Sequence, residues 1–125
     1  MADTKGTVLV VDDEEAIRQV ASDMLTFLGY TVITASSGEK AIECMKTGAR
    51  PDVVLLDLVM PGISGFQTLH KLREIDPGLP ILISSGYSGR VLATEGVDGF
   101  VNKPYQIETL ARQLEKVQRA GNRPE

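Results

Sequence analysis

The chain has 125 residues, 42% of them hydrophobic, and a net charge of −4 at pH 7, which suits one domain with a substantial core. The negative charge argues against direct binding to nucleic acid. No apolar run approaches the roughly 20 residues of a membrane helix, and the polar start lacks a signal peptide's apolar stretch. The single cysteine, Cys44, cannot form an internal disulfide. We therefore expect a cytoplasmic protein without membrane contact.

Apolar, β-rich runs alternate with helical patterns along the chain. In order, the patterns predict strands at residues 7–11, 31–35, 52–57, 80–84 and 98–101. They predict helices at 14–28, from Ser36 or Ser37 to about 48, at 66–75, at 88–95 and at 106–119. This alternation implies an α/β domain at residues 7–119, with a parallel sheet between helices, a polar leader at 1–6 and a polar tail at 120–125.

Polar side chains follow four of the five predicted strands. Ligands of parallel sheets bind beyond the carboxyl ends of the strands, and the fold gathers these ends at one edge. We therefore expect one pocket to contain these side chains: Asp12, Asp13, Asp57, a hydroxyl from Ser84 or Ser85, and Lys103.

Three clustered carboxylates repel one another and need compensation. Two unit charges ~4 Å apart repel by about 1 kcal/mol in water and about 4 kcal/mol at an effective dielectric constant of 20. A cation must offset this repulsion, or one group must retain a proton. Ligands that are all oxygens favour a hard cation such as Mg²⁺ (or Mn²⁺). A carboxylate beside Mg²⁺ can attack phosphorus to form an aspartyl phosphate, whose charge the metal and Lys103 would neutralise.

Over residues 7–119 the chain resembles the receiver domains of two-component response regulators, of the chemotaxis-regulator type. The resemblance rests on DD after the first strand, DLVMPGISG around Asp57, SSGY after the fourth strand and FVNKPY near the end. It implies a flavodoxin-like (βα)5 fold with strand order 2-1-3-4-5. It also implies a phosphorelay signalling domain rather than an enzyme. Such a domain catalyses only its own phosphorylation and slow dephosphorylation. The phosphoryl donor would be a phosphohistidine on a sensor histidine kinase or a histidine phosphotransfer domain.

The resemblance assigns the pocket residues. Asp57 would be the phosphoacceptor, and Mg²⁺ would be held by Asp12, Asp13, Asp57 and the backbone carbonyl of Val59. Lys103 would contact the phosphoryl group, and the family implies a cis peptide bond between Lys103 and the proline after it.

A conformational switch is also implied, in which Ser85 moves toward the phosphate and Phe100 rotates inward. Val59 and Tyr87 would flank the path of the hydrolytic water. Because neither can act as an anionic base at neutral pH, we expect slow dephosphorylation. The segment SGRVLATE, about one helical turn shorter than in most receivers, predicts a shortened or irregular fourth helix.

Individually, several of these residues have simpler interpretations. Asp13 could cap the first helix, and Gly62 and Gly65 are most simply turn residues. His70, the only histidine, is expected on the surface of the third helix.

Three alternative functions remain open from the sequence. A flavin- or nucleotide-binding module would need a glycine-rich loop after the first strand, where this chain is acidic. A phosphatase of the haloacid dehalogenase type would carry DxD there instead of DD. A degenerate receiver would serve only as a binding module. The sequence also leaves open whether the chain is a stand-alone regulator or a receiver excised from a hybrid histidine kinase. It does not identify the downstream target or decide whether the chain forms a homodimer.

Overall fold

Five parallel strands form one sheet in the order β2-β1-β3-β4-β5, which confirms the predicted doubly wound topology. The computed structural model describes residues 5–58, 65–85 and 98–121, with side chains except at 85 and 118–121. The strands are β1 (Thr7–Val11), β2 (Thr31–Ala35), β3 (Val53–Asp57), β4 (Ile81–Ser85) and β5 (Gly99–Asn102). Each neighbouring pair is parallel, so the carboxyl ends of all five strands lie at one edge.

Four helices lie on the two faces of this sheet within the described ranges: α1 (Glu15–Leu28), α2 (Gly38–Lys46), α3 (Gly65–Ile75) and α4 (Ile107–Gly121). The helix predicted at 88–95 lies outside the described residues. Over the described part of the chain, no helix combines the length and apolarity needed to cross a membrane.

Two hydrophobic cores hold the helices against the sheet, because successive strand side chains point to opposite faces. On one face, Leu9 and Val11 of β1 pack with residues of α2 and α3. On the other, Val8 and Val10 pack with residues of α1 and α4. All five residues of β3 are buried, as expected for a central strand covered on both faces.

Strands β3, β4 and β5 each begin one residue later than predicted, and β4 and β5 each end one residue later. Asp52 and Asp98 lie just before their strands instead of opening them. The Asp52 carboxylate accepts a hydrogen bond of 2.7 Å from the Thr7 N–H, and that of Asp98 accepts one of 2.7 Å from the Ile81 N–H. A carboxylate that binds a neighbouring strand's N–H resembles a strand residue in sequence pattern but lies outside the ladder.

The helix ends show which polar residues act as caps. Ser37 is the N-cap of α2, and its hydroxyl accepts a hydrogen bond of 3.1 Å from the Lys40 N–H. Gly29 ends α1 in the left-handed conformation, with φ of 103°. Asp13 does not cap α1: Glu14 occupies the N-cap position. The Glu14 N–H is already bound by the Asp12 carboxylate at 2.9 Å, so Asp13 has no capping role.

Candidate functional site

Three carboxylates meet at the carboxyl edge of the sheet, as the sequence predicts. Asp12 and Asp13 follow β1, and Asp57 is the last residue of β3. One carboxylate oxygen from each lies within 4.8 Å of the others; we call these three residues the acidic cluster. Asp12 is fully buried and Asp57 is 5% exposed, whereas Asp13 is exposed. Two of the three charges therefore lie inside the protein, where repulsion is poorly screened.

Lys103 places one ammonium group in this cluster. Its Nζ lies 2.9 Å from Oδ2 of Asp12 and 3.2 Å from Oδ1 of Asp57. The peptide bond between Lys103 and Pro104 is cis, as the resemblance implies. Burial lowers the pKa of Lys103, but the contact with Asp12 and the charges of Asp57 and Asp12 outweigh it, so the pKa is raised overall. The ammonium is thus stabilised in its charged form.

Asp12 is fixed by three different contacts. Its Oδ1 accepts the hydrogen bond from the Glu14 N–H, and its backbone carbonyl accepts one of 2.7 Å from Nη1 of Arg18. Its buried Oδ2 lies 2.9 Å from the Lys103 ammonium, with which it forms an ion pair. Sequence reasoning missed Arg18, because nothing in its position on α1 distinguishes it from a solvated arginine.

The donor set fits a divalent metal ion. Among the described residues, one ammonium faces three carboxylates, whose mutual repulsion a cation would reduce. The group of potential ligands contains only carboxylates, and oxygen ligands suit Mg²⁺. These properties make the acidic cluster a candidate metal site.

The two consecutive serines of β4 have different surroundings. Ser84 is 1% exposed, and its hydroxyl shares a hydrogen bond of 2.7 Å with the Tyr105 hydroxyl. Ser85 is the last residue of β4 and lies opposite Asn102 in the ladder, while its side chain lies outside the described atoms. Sequence reasoning missed Tyr105, although it is the last residue of the FVNKPY motif.

Burial raises the Tyr105 pKa to about 12. The nearby charges of Asp12 and Asp57 add to this effect, whereas the Ser84 hydrogen bond and the Lys103 charge oppose it. Tyr105 therefore remains a neutral phenol at physiological pH.

The residues predicted for the switch and for water access are only partly described. Phe100 lies opposite Ile83 in the β4–β5 ladder and is partly buried against the core beneath α2 and α3. Val59 and Tyr87 lie outside the described residues. His70 is exposed on α3, as expected.

Gly65 is not a turn residue, contrary to the prediction, but the first residue of α3. A Cβ atom at this position would lie 2.8 Å from both the Cα and the carbonyl oxygen of Leu58. The Gly65 N–H donates to that same carbonyl at 3.2 Å. Only glycine lets α3 begin so close to the chain that leaves Asp57. Gly62 lies outside the described residues.

Comparison with known proteins identifies a family with this arrangement. The family model for the response regulator receiver domain matches residues 8–115. The probable transcriptional regulatory protein TcrX of Mycobacterium tuberculosis is 41% identical over 112 residues, which is 86% of this chain and 47% of TcrX. The sensor kinase CckA of Brucella abortus is 36% identical over 116 residues, which is 89% of this chain and 12% of CckA. The chain therefore spans about half the length of one relative and a small part of the other.

Solved structures agree with these sequence relatives. The receiver domain of the hybrid histidine kinase CckA has a TM-score of 0.78 and 36% identity, covering 90% of this chain and 99% of that domain. The chemotaxis response regulator CheY4 of Vibrio cholerae has a TM-score of 0.82 and 34% identity, covering 91% of this chain and 99% of that protein.

Proposed function

The chain belongs to the response regulator receiver domain family, and on that premise we propose that Asp57 accepts a phosphoryl group from a phosphohistidine. The donor would be a sensor histidine kinase or a histidine phosphotransfer domain. The observation that carries the proposal is the position of Lys103, whose ammonium lies between the carboxylates of Asp12 and Asp57. An ammonium there can neutralise phosphoryl oxygens on Asp57 without leaving the pocket.

The Asp57 carboxylate would act as the nucleophile. A bond forms between one of its oxygens and phosphorus while the phosphorus–nitrogen bond of the phosphohistidine breaks, and the imidazole leaves with the electron pair. Lys103, which contacts Oδ1 of Asp57 in the structure, would then contact a phosphoryl oxygen. Since Asp57 ends a fully buried strand, its attacking carboxylate is held at a fixed place.

Mg²⁺ (or Mn²⁺) is the cofactor that we propose for the acidic cluster. Asp12, Asp13 and Asp57 would hold it with carboxylate oxygens, together with the backbone carbonyl of Val59, which lies outside the described residues. When bound, the ion supplies positive charge that reduces the repulsion between the phosphoryl group and the carboxylates. The grouping of one carboxylate oxygen from each of the three acids within 4.8 Å of the others supports this proposal.

Ser85 and Phe100 would convert phosphorylation into a conformational change. The Ser85 hydroxyl would donate to a phosphoryl oxygen, and Phe100 would rotate inward. Moving a population from 1:99 to 99:1 takes about 5.5 kcal/mol, and hydrogen bonds to charged groups contribute about 1.5–3 kcal/mol each. New bonds from Ser85 and Lys103 would supply most of that energy.

Dephosphorylation of Asp57 would be slow in the isolated protein. The positions two residues after Asp57 and two after Ser85 are Val59 and Tyr87, and neither side chain can act as an anionic base at neutral pH. The chain would therefore act as a signalling domain with a long-lived phosphorylated state, rather than as an enzyme that turns over a substrate.

The relatives indicate two settings for this domain. TcrX is a probable transcriptional regulator and CckA is a sensor kinase, so the chain would act either as a regulator or as the receiver of a hybrid kinase. In both settings we propose cytoplasmic phosphotransfer, with a downstream protein target and formation of a homodimer.

The proposal is tested by incubating the protein with a small phosphodonor such as acetyl phosphate and Mg²⁺ and measuring the intact mass. We expect the wild type and Asp23→Asn, which removes an exposed acid of α1, to gain one phosphoryl group. Asp57→Asn should gain none. No mass gain in the wild type would favour a receiver that serves only as a binding module, and an undiminished gain in Asp57→Asn would refute Asp57 as the acceptor.

A further inference from the structure

A buried pair of hydroxyl groups lies behind the acidic cluster and is not part of the function proposed above. Ser84 and Tyr105 share their hydrogen bond of 2.7 Å while being only 1% and 7% exposed. The Tyr105 ring belongs to the core beneath α1 and α4, on the face opposite Phe100. Because a buried hydroxyl without a partner is unfavourable, each group keeps the other in place.

Tyr105 is the anchor of the segment that carries Lys103. Four residues, 103–106, join β5 to α4, and Tyr105 is the only one of them that is buried. Lys103 is partly exposed, and Pro104 and Gln106 are exposed. The position of the Lys103 backbone therefore depends on how Tyr105 is held.

Ser84 connects this anchor to the strand that carries the phosphoacceptor. In the parallel ladder Ser84 lies directly opposite Asp57 on one side and opposite Val101 on the other. The hydrogen bond thus joins the segment after β5 to the position of β4 that adjoins Asp57. Because Tyr105 and Lys103 lie on the same short segment and Ser84 pairs with Asp57, a movement of Tyr105 away from Ser84 would also move Lys103 relative to Asp57.

We propose that Ser84 and Tyr105 are positioning residues, whose shared hydrogen bond sets the Lys103 ammonium at the distance from Asp57 that phosphoryl transfer requires. This inference rests on the proposed phosphorylation of Asp57. The lysine side chain is long and flexible, so its backbone origin decides which positions the ammonium can reach. Displacement of a reacting group by about 1 Å can cost up to 100-fold in rate.

The hydrogen bond is suited to a permanent positioning role. Since the pKa of Tyr105 is raised to about 12, its hydroxyl keeps its proton throughout the physiological pH range.

The experiment removes each hydroxyl and measures the phosphorylation rate against acetyl phosphate concentration at saturating Mg²⁺. Tyr105→Phe and Ser84→Ala should each lower the maximal rate by about tenfold, with little change in the half-saturating donor concentration, because geometry rather than binding is altered. The double variant should be no slower than either single variant. Tyr30→Phe is the matched control. Tyr30 is 6% exposed in the same core, but it lies before β2, at the opposite edge of the sheet. The Tyr30→Phe protein should therefore be phosphorylated at the wild-type rate.

A second background separates positioning from general loss of stability. In Lys103→Gln protein, adding Tyr105→Phe should leave the residual phosphorylation rate unchanged, although urea unfolding should report a similar destabilisation in both backgrounds. An equal rate loss in both backgrounds, or wild-type rates in Tyr105→Phe and Ser84→Ala, would overturn the inference while the proposed function stands. A wild type that takes up no phosphoryl group would instead overturn the proposed function, and this inference with it.

Discussion

Both edges of the sheet carry acidic and basic side chains, but the two edges differ in how these charges are paired. At the amino edge, Asp98 accepts hydrogen bonds from Nη2 of Arg73 and from the Ile81 N–H, both at 2.7 Å, and Arg73 also binds the Leu79 carbonyl. At the carboxyl edge, the Lys103 ammonium contacts two acids of the acidic cluster, Asp12 and Asp57, and the third acid, Asp13, lies close to both. Charges that are fully paired with neighbours hold the strands together, whereas charges left in excess are available to a ligand.

The largest difference between the edges should appear when each cation is removed. Lys103→Gln leaves buried acids without their ammonium and should lower the free energy of unfolding by about 3 kcal/mol, with phosphorylation at least about 100-fold slower. Saturating Mg²⁺ should recover part of the lost stability, because it binds the folded state.

Arg73→Gln is the matched change at the amino edge. The Arg73 and Asp98 side chains are 24% and 39% exposed. Loss of this ion pair should therefore lower the free energy of unfolding by only about 1 kcal/mol, and Mg²⁺ should not restore it. Urea unfolding of both variants with and without Mg²⁺ provides the measurement. Equal costs, or equal responses to Mg²⁺, would show that the edges do not differ in this way.

Alkaline pH should weaken the carboxyl edge through Tyr105. Its pKa rises from 10.0 to about 12 in the folded protein, so between these values the unfolded chain releases a proton that the folded protein retains. The contribution of Tyr105 to stability should therefore be constant below about pH 10 and fall by up to about 3 kcal/mol as the pH rises to about 12.

The raised pKa of Lys103 acts in the same direction, since its charge is favoured in the folded state and is lost only at still higher pH. Tyr105→Phe should make the decline above about pH 10 smaller, as judged by urea unfolding followed by circular dichroism. An unchanged decline in this variant would contradict the assignment to Tyr105.

Replacing a glycine by alanine should affect phosphorylation at the carboxyl edge but not at the amino edge. Gly65→Ala would bring a Cβ 2.8 Å from backbone atoms of Leu58, next to Asp57, and should cost about 1–3 kcal/mol and slow phosphorylation. Gly99→Ala, at the start of β5, meets the side chains of Gln113 and Leu82. Because these contacts lie at the start of β5 and not at its carboxyl end, the phosphorylation rate should be preserved. Slower phosphorylation in Gly99→Ala than in Gly65→Ala would contradict this account.

The smallest effect is expected at the N-cap of α2, whose hydroxyl forms no hydrogen bond with the charged groups of the acidic cluster in the described part of the chain. Ser37→Ala removes the hydrogen bond to the Lys40 N–H and should cost about 1 kcal/mol. Thermal unfolding should show this loss, and the phosphorylation rate should equal that of the wild type. A slower rate would mean that the start of α2 contributes to the pocket.

Much of this architecture could be predicted because the relevant patterns are local. Apolar β-rich runs and helical periodicity place all five strands and the four described helices within about two residues, and the alternation of elements determines which strand ends meet. The expectation that Asp12, Asp13, Asp57 and Lys103 come together follows from that rule and agrees with the distances.

The details that could not be predicted depend on contacts between distant residues. The carboxylate that accepts from the Glu14 N–H at the start of α1 belongs to Asp12 and not to Asp13. This choice depends on the direction of the Asp12 side chain inside the pocket. Ser84 and Tyr105 are 21 residues apart, and no sequence pattern indicates that their hydroxyls meet. Gly65 resembles a turn glycine until the approach of α3 to Leu58 is seen.

Chemical identification of the phosphorylated residue tests the central claim most directly. After incubation with acetyl phosphate and Mg²⁺, borohydride reduction converts an aspartyl phosphate to homoserine, which peptide mass spectrometry can locate. We predict homoserine at position 57 and at no other acid, with none formed when the phosphodonor is omitted. Homoserine at position 12 or 13, or a phosphoryl group that resists reduction, would contradict the account.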